Sequence, residues 1–236
     1  IFNEINGKEL TDSEIKEIKS EQESSKQKPL FSKTYKFPIL LAFLIAFFNQ
    51  LSGINAFLYY APRIFEAAGL EESSALLSSI GIGVTNMIFT LLGLYLIDKI
   101  GRRLLMIFGS IGYIISLTLV SIAFLQGWQG ISIPIFLFLF IASHAIGQGA
   151  VIWVFISEIF PDNLRAQGQS FGSSVHWILA ALITLFMPVA LSAFPNPGYV
   201  FMLFSGMMVL QLVFVLYLMP ETKGVSLERL SKTLIK

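Results

Sequence analysis

Residues 38–61 read PILLAFLIAFFNQLSGINAFLYYA and contain no Asp, Glu, Lys or Arg. Apolar side chains dominate the run, and its few polar side chains lie together near the middle. As a helix rising 1.5 Å per residue, the run is about 36 Å long. The hydrocarbon core of a bilayer is about 30 Å thick. The run therefore predicts a membrane-spanning helix.

Five further runs of this kind follow, at about 78–97, 104–125, 132–156, 171–192 and 199–219. The composition agrees, since 55% of the residues are hydrophobic, 13% are charged and the mean hydropathy is +0.73. A soluble domain of this length needs far more polar surface. We therefore predict an all-α membrane protein with six transmembrane helices.

The charges indicate how the chain crosses the membrane. An even number of crossings puts both termini on one side, and every one of the 16 Lys and Arg residues except Arg63 lies on that side. Because Lys and Arg concentrate in cytoplasmic loops, we predict a multi-pass protein of the cell membrane with both termini cytoplasmic.

Three regions follow from this topology. Residues 1–36 are polar, and a capping box at Thr11 and Glu14 predicts a short amphipathic helix over about 12–23. Residues 37–220 form the six-helix bundle, and residues 221–236 form a cytoplasmic tail. The chain begins with Ile1 and not Met, which we interpret as the sign of a fragment.

Helix breakers occur inside two of the six runs. Ser52-Gly53 lies about halfway along the first run, and Gly147-Gln148-Gly149 lies in the fourth. Three helices separate the breaks, so they occupy matching places in two three-helix halves that run in opposite directions. Paired interruptions of this kind are typical of inverted repeats in transporters, with the binding site at the membrane midplane. We predict a 3+3 inverted repeat.

Polar side chains cluster around the two breaks and form the candidate binding site. They are Asn49, Gln50, Ser52, Asn55, Asn86, His144, Gln148, Trp153, His176 and Trp177, with Gly149 at the second break. Amides both donate and accept hydrogen bonds, and aromatic faces pack on the C–H faces of a sugar ring, so the set suits a neutral, hydroxyl-rich ligand. For any single Asn, a hydrogen bond between helices is the alternative explanation.

Other chemistry has little support in these residues. Enzyme motifs and membrane carboxylate pairs do not occur, so we do not expect an enzyme or a cofactor. Two histidines without Cys or a nearby carboxylate make a poor metal site. Nucleic acid is not an expected partner.

Four motifs, in order, resemble the sugar porter family of the major facilitator superfamily. They are Gln50-Leu-Ser-Gly-Ile-Asn55 with Tyr59-Tyr60; Asp98-Lys-Ile-Gly-Arg-Arg103; Gly149 to Trp153 with Ser157-Glu158-Ile-Phe-Pro161 and Arg165; and Pro220-Glu-Thr-Lys-Gly224. The resemblance covers nearly the whole chain and corresponds to the C-terminal six-helix half of such a porter. It implies the missing N-terminal half and the lipid bilayer as partners.

The resemblance also implies roles for individual residues. Gln50, Asn55 and Asn86 correspond to ligands of sugar hydroxyls, and Trp153 to a residue that packs on the sugar. Tyr59 and Tyr60 correspond to an outer gate. The cytoplasmic charges that the family uses as a latch in the outward-open state correspond to Asp98, Arg102, Arg103, Glu158, Arg165 and Glu221.

Some positions differ from the family pattern. Asn49 replaces the first Gln of a Gln-Gln pair, and Ala150 stands where Pro is common, which predicts a straighter helix. His144 lies where the family often has an aromatic sugar contact, and His176 where an Asn or Gln is usual. These differences leave the identity of the sugar open.

The sequence thus predicts transport of a sugar, a monosaccharide such as a hexose or pentose, by alternating access. A porter of polyols or other hydroxylated solutes is one alternative, and a membrane sugar sensor on the same fold is another. Protons are an open second partner, because the coupling carboxylate of the family lies in the absent half; symport and uniport both stay open.

Overall fold

The computed structural model describes residues 29–128 and 130–235, and these residues contain helices and no strand. A 3-10 turn, Lys33–Tyr35, leads into the first helix. The α-helices are α1 (Lys36–Leu51), α2 (Ile54–Ala67), α3 (Glu72–Ile100), α4 (Arg102–Leu125), α5 (Ser132–His144), α6 (Ala150–Glu158), α7 (Arg165–Ala193), α8 (Gly198–Tyr217) and α9 (Leu227–Leu234). A π-helical turn, Ala145–Gly149, joins α5 to α6.

Six segments of the described chain are long and apolar enough to cross a membrane. They are Lys33–Ala67, Glu72–Ile100, Arg102–Leu125, Ser132–Glu158, Arg165–Ala193 and Gly198–Tyr217, which we number as the first to sixth spans. Each coincides with one predicted run, so the prediction of six transmembrane helices is confirmed. The second and fifth spans are 29 residues long, or about 44 Å, because polar residues at their ends continue the helix beyond the apolar run.

The predicted amphipathic helix over 12–23, with its capping box at Thr11 and Glu14, lies outside the described residues. Beyond the sixth span, the chain turns back and forms α9, whose Leu230 and Leu234 are buried. The last helix of the described chain is therefore packed against the bundle.

The packing of the spans follows the expected inverted repeat. The third and sixth spans pack along each other, the first span packs on the fifth, and the fourth packs on the second. Exchanging spans one to three for spans four to six turns the first–fifth contact into the fourth–second contact. The third–sixth contact maps onto itself. The bundle thus has the pairing that an inverted 3+3 repeat requires.

Small residues allow the third and fourth spans to approach closely. A Cβ atom on Gly109 would lie 2.9 Å from the Cα atom of Gly147 and 3.1 Å from the carbonyl oxygen of Ser143. In lipid, association of helices depends on such close packing because apolar burial gives no net gain. Gly109 and Gly147 thus allow the backbone of the fourth span, at the break that it contains, to pack directly against the third span.

The second and fifth spans carry apolar faces that the described part of this chain leaves uncovered. Only 17% of the most apolar window of each is buried, compared with 61% for the first span. Leu91 on the second span and Phe186 on the fifth are among the exposed side chains. These two faces need lipid or another apolar protein surface as their environment.

Candidate functional site

A cavity of about 260 Å³ lies between the first, second, fourth and fifth spans. Its walls contain eight residues of the predicted site: Asn49, Asn55, Asn86, His144, Gly149, Trp153, His176 and Trp177. The other residues of the cavity wall are Ile54, Leu58, Thr90 and Ile152. Among these lining residues of the described chain none carries a formal charge, so the cavity suits a neutral molecule with polar groups.

The break in the first span brings two of the amides to the cavity. Gly53 has φ +81°, which ends α1 at Leu51 and allows α2 to start at Ile54. The Ser52 hydroxyl donates to the Asn49 carbonyl oxygen at 2.6 Å and accepts the Ile54 N–H at 3.3 Å. Backbone groups freed by the break are satisfied in this way inside the bundle. Asn49 and Asn55 flank the break and both line the cavity.

Gln50 lies behind the wall and is only 1% exposed. Its Nε2 donates to Asn49 Oδ1 at 2.9 Å and lies 3.1 Å from His176 Nδ1, and its Oε1 accepts from Asn55 Nδ2 at 2.9 Å. The amide hydrogens and the amide oxygen of Gln50 are thus occupied by three residues that do line the cavity. We call Asn49, Gln50, Asn55 and His176 the amide–histidine cluster.

The π turn determines which side chains of the fourth span meet at the cavity. In an α-helix, with about 100° per residue, His144 and Trp153 would lie on opposite faces because nine residues separate them. A π turn takes up one extra residue, so the two side chains are about 80° apart and share the cavity. Gly149 lies beside the His144 ring; a Cβ atom there would be 3.4 Å from His144 Nε2.

The sequence predicted a straighter helix at this place because Ala150 replaces Pro. The helix does continue without a gap, but it does so through the π turn Ala145–Gly149. Nothing in the local sequence pattern distinguishes a π turn from an α-helical one. The packing of Gly109 against Gly147 is the feature that accompanies it.

Three aromatic rings form one side of the site. The His176 ring lies between Trp153 and Trp177, with centroid distances of 4.9 Å and 5.0 Å. Gln169 Nε2, seven residues before His176 in the fifth span, donates to the Trp153 carbonyl oxygen at 3.1 Å. Trp177 itself is 60% exposed, so it forms the open rim of the cavity.

Asn86 reaches the cavity from the second span, together with Thr90 one turn further along. Both side chains are half-buried. Thr90 was not predicted from the sequence, although its spacing of four residues from Asn86 is the signal that would have found it.

The predicted gate residues lie outside this cavity. Tyr59 and Tyr60 line a neighbouring recess of about 450 Å³ with Trp177, Ala180, Ala181, Thr184 and Leu185. Tyr59 is 70% exposed and Tyr60 is half-buried, with the Arg63 guanidinium 5.9 Å from the Tyr60 ring. Trp177 belongs to both recesses, so the tyrosines adjoin the site at its rim.

Two of the polar residues near the breaks serve other purposes. Ser52 satisfies the backbone at the first break, as described above. Gln148 is fully buried and does not line the cavity, and its Nε2 donates to Gln211 Oε1 on the sixth span. Gln211 Nε2 in turn donates to Ser110 Oγ on the third span at 2.8 Å. Gln211 and Ser110 were not predicted, because a single polar residue in an apolar run does not reveal its partner.

The predicted cytoplasmic charges form contacts at the other end of the bundle. Arg102 is buried and binds Glu158 through two bonds, Nε to Oε2 at 3.1 Å and Nη2 to Oε1 at 2.7 Å, and also binds Asp98 at 2.9 Å. Thr222 Oγ1 donates to Glu158 Oε2 at 2.6 Å. A fork-to-fork pair of this kind fixes the relative position of the third and fourth spans.

Glu221 and Arg103 bind backbone groups and not each other. Glu221 accepts the N–H groups of Arg102 and Arg103, each at 3.0 Å, at the start of α4. Arg103 Nε donates to the Val215 carbonyl oxygen at 3.1 Å, near the end of α8. An anion at a helix N-terminus and a cation near a C-terminus both interact favourably with the helix dipole. Gly101 has φ +100°, and a Cβ atom there would lie 2.6 Å from Glu221 Oε2.

Arg165 completes the group of predicted cytoplasmic charges. Its Nε donates to the Ser157 carbonyl oxygen at 3.0 Å, and it pairs with Asp162 in the turn between the fourth and fifth spans. All of these contacts join elements of this chain. An opening of about 530 Å³ lies beside them, and its lining includes Asp98, Arg102, Glu158, Arg165, Thr222, Lys223 and Leu230.

Comparisons with known proteins agree with this geometry. A protein family described as Sugar (and other) transporter matches residues 1–234. The arabinose-proton symporter of Bacillus subtilis (strain 168) is 32% identical over an alignment of 240 positions, which covers 100% of this chain and 52% of that protein. Solute carrier family 2, facilitated glucose transporter member 3 of Canis lupus familiaris is 33% identical over 205 residues, which are 85% of this chain and 41% of that protein.

A solved structure of the major facilitator superfamily proton:xylose symporter XylE bound to 6-bromo-6-deoxy-D-glucose is also similar. It has a TM-score of 0.76 and 32% identity, over 83% of this chain and 42% of that one. The inward open conformation of the xylose transporter XylE from E. coli has a TM-score of 0.76 and 29% identity, over 94% of this chain and 46% of that one. The chain thus spans about half the length of the relatives it matches.

Proposed function

Because the chain belongs to the sugar (and other) transporter family of the major facilitator superfamily, we propose that it is the C-terminal half of a transporter that moves a monosaccharide by alternating access. The observation that carries the proposal is the cavity between the two broken spans. Its lining of amides, two histidines and two tryptophans is neutral and hydrogen-bonding, with aromatic faces at its side and rim.

The amide–histidine cluster supplies the chemistry for hydroxyl groups. Each amide both donates and accepts, as a sugar hydroxyl does. Asn49 and Asn55 already face the cavity, whereas Gln50 is bonded to its neighbours from behind. We propose that Gln50 orients the other members, and that it reaches the sugar only after exchanging one of these bonds for a sugar hydroxyl.

Trp153 is the proposed platform for the sugar ring. A stacked ring buries C–H groups on the indole, and the Trp N–H adds a hydrogen-bond donor. The contact of Trp153 with His176 and the bond from Gln169 to its carbonyl oxygen hold it in place.

The test of the site is transport by the complete protein, reconstituted in liposomes, with Trp153→Ala and Trp128→Ala compared. Trp128 lies in the loop after α4, away from the cavity, and is the matched control. We expect Trp153→Ala to raise the half-saturating concentration of sugar at least about 10-fold, the effect of about 1.4 kcal/mol, while Trp128→Ala leaves it within about 2-fold.

Competition with sugars and polyols in the same assay identifies the substrate class. Inhibition by polyols alone would overturn the sugar proposal in favour of a polyol porter, and binding without any flux would favour a sensor. Equal transport by Trp153→Ala and wild type would show that the cavity is not the sugar site. Proton coupling is measured separately: a rise in the pH of the external medium when sugar is added would indicate symport.

The cytoplasmic charges are proposed as the latch of alternating access. The bonds of Arg102, Glu158 and Glu221 join the start of the third span, the end of the fourth span and the segment after the sixth. We propose that Arg102, Glu158 and Glu221 hold these three segments together as one rigid cytoplasmic unit, which we call the cytoplasmic plate. This plate contacts the other half of the transporter in the outward-open state. Exposed pairs contribute only about 0–1 kcal/mol each, so the latch depends on the buried Arg102–Glu158 pair.

The exposed faces of the second and fifth spans are proposed as the surface for the N-terminal half. Without that half, the polar cavity would open towards lipid, where unpaired polar groups are costly. This chain alone, purified and reconstituted, is therefore expected to give no saturable uptake of sugar. Saturable uptake by the chain alone would instead require two copies to assemble.

Both termini are proposed to be cytoplasmic. Because the chain has no cysteine, single cysteines report the topology cleanly once any cysteines of the other half are replaced. A cysteine at Glu71 should react with a membrane-impermeant maleimide applied outside intact cells, and a cysteine at Lys223 should not. If the cysteine at Lys223 reacts and the cysteine at Glu71 does not, the orientation is the reverse of the one proposed.

A further inference from the structure

Gln148, in the π turn of the fourth span, is fully buried and faces the sixth span. Its Nε2 donates to Gln211 Oε1, and its own Oε1 has no hydrogen-bond partner among the described residues. The bond to Gln211 is therefore the single hydrogen bond that the described chain gives the Gln148 side chain. Neither of the two glutamines lines the cavity.

Gln211 is a fixed acceptor for Gln148, because a carbonyl group orients the bonds on its other side. The Met106 carbonyl oxygen can only accept, so the Ser110 hydroxyl donates its single hydrogen there, at 2.7 Å. Ser110 Oγ then accepts from Gln211 Nε2 at 2.8 Å. This bond turns Gln211 Oε1 towards Gln148, where only a donor satisfies it.

The register of the fourth span decides whether Gln148 or Gly149 lies beside His144. In an uninterrupted α-helix, residue 148 lies about 40° from residue 144 around the axis, and residue 149 about 140° from it. The π turn reverses this order: Gly149 lies beside the His144 ring and lines the cavity, whereas Gln148 faces the sixth span. An α-helical turn after His144 would therefore bring Gln148 to the cavity and turn Trp153 away from it.

The two registers offer the Gln148 amide different partners. Because π turns are rare and the α-helix is the usual form, the extra residue needs contacts that hold it. Gly109 and Gly147 allow a close approach but have no side chains to specify it. In the α-helical register, the Gln148 amide would reach the polar groups of the cavity wall, whereas in the π register its partner is Gln211. Without Gln211 the amide is unpaired in the π register, and this cost favours the α-helical register.

We propose that Gln211 is a positioning residue for the sugar site: by binding Gln148 at the interface with the sixth span, it keeps this amide out of the cavity and holds the fourth span in the π register. His144 and Trp153 then share the cavity. The inference rests on the proposed transport function for its substrate, but the register can be tested without any sugar. Gln211 acts through Gln148 and does not itself line the cavity.

Two variants that remove the same hydrogen bond separate positioning from stability. Gln211→Leu frees the Gln148 amide, so we expect the half-saturating concentration of sugar in the complete transporter to rise at least about 10-fold, as on loss of Trp153. Gln148→Leu introduces an apolar side chain that gains nothing from a polar cavity, so this concentration should stay within about 2-fold of the wild-type value. Equal changes in the two variants would overturn the proposal, because both lose the same bond.

A double variant and a control complete the transport test. Adding Gln148→Leu to Gln211→Leu should restore the half-saturating concentration to within about 2-fold of wild type, because no amide is left to turn into the cavity. A double variant as impaired as Gln211→Leu would contradict the proposal. Ser205→Ala removes a buried bond of 2.8 Å between the sixth span and Thr118 on the third, six residues before Gln211, and should leave the concentration unchanged. A shift in Ser205→Ala as large as in Gln211→Leu would count against positioning.

Cysteine labelling measures the register directly and without sugar. Because the chain has no cysteine, Gly149→Cys reports the position beside His144 once any cysteines of the other half are replaced. In the purified transporter, a water-soluble maleimide should label Gly149→Cys, and adding Gln211→Leu should slow this labelling at least about 5-fold, because the thiol leaves the accessible cavity. Asn86→Cys, on the cavity wall of the second span, should react equally in both backgrounds. Unchanged labelling of Gly149→Cys would overturn the proposal.

Gln211→Met is the gentler variant if Gln211→Leu does not fold, since an unbranched, flexible side chain replaces the amide. The same changes in half-saturating concentration and in labelling are expected of it, and their absence would equally overturn the proposal. If the complete protein moves no sugar, the proposed function fails, and the labelling result still decides whether Gln211 sets the register of the fourth span.

Discussion

Gly53→Ala is expected to destabilise the bundle strongly, because two independent costs coincide at this break. Gly53 has φ +81°, and a Cβ atom there would lie 2.5 Å and 2.6 Å from two ring carbons of Phe204 on the sixth span. A left-handed backbone costs an L-residue about 1–2 kcal/mol. Overpacking a filled site costs about 1–3 kcal/mol more. The sum is about 2–5 kcal/mol.

The assay is thermal unfolding of the purified complete transporter in detergent. If this half of 236 residues unfolds as one cooperative unit, the conversion is about 2–4 °C per kcal/mol, and Gly53→Ala should lower the apparent melting temperature by at least about 4 °C. Gly206→Ala is the matched control: Gly206 lies inside α8, a Cβ atom added to it would meet nothing within 4 Å, and alanine favours the helix. It should melt at or slightly above the wild-type temperature.

Phe204→Leu separates the two costs. The smaller side chain should relieve the contact but not the backbone strain, so the double variant should be less destabilised than the sum of the single variants by about 1 kcal/mol. Strict additivity, or wild-type melting of Gly53→Ala, would refute the reasoning about this break.

Three further predictions concern contacts that join the spans. Gly109→Val should lower the melting temperature by several degrees, because its side chain would meet the backbone of the fourth span 2.9 Å away; normal melting would contradict the close approach. Gln211→Leu should cost about 1–3 kcal/mol by leaving the Gln148 amide unpaired, and adding Gln148→Leu should recover part of that loss in the same assay, whereas additive losses would show that the two are not coupled. Glu158→Gln should cost up to about 3–5 kcal/mol, because the buried Arg102 charge loses its two-bond partner and keeps only its pair with the exposed Asp98; denaturant unfolding measures the loss, and a value below about 1 kcal/mol would mean that the pair is solvated.

The contacts of the predicted cytoplasmic charges give the proposed latch a more specific form than charge pairing alone. Glu221 stabilises the start of α4 through backbone N–H groups, and Arg103 stabilises the end of α8 through a carbonyl oxygen. Such bonds persist for as long as the helices are intact. We therefore expect the plate to move as a unit, with bonds to the other half breaking first during transport.

The six spans, the break at Gly53 and the polar character of the site could be predicted from the sequence. Hydropathy depends on the composition of about twenty neighbouring residues, and a Ser-Gly pair interrupts a helix through its own conformational preferences. The neutral amides near the breaks likewise indicate a neutral ligand without any knowledge of their partners. These properties are local, so they can be recognised in the order of the residues alone.

Which of those side chains share the cavity was decided only by the tertiary structure. Straight α-helical spacing would put His144 and Trp153 on opposite faces, and the π turn at Ala145–Gly149 places them together. Gln50 turns behind the wall because Asn49, Asn55 and His176 satisfy its amide, and Gln148 turns to Gln211, 63 positions away. A buried polar group takes the partner that packing brings within hydrogen-bonding distance, and packing between distant spans is not encoded in any local pattern.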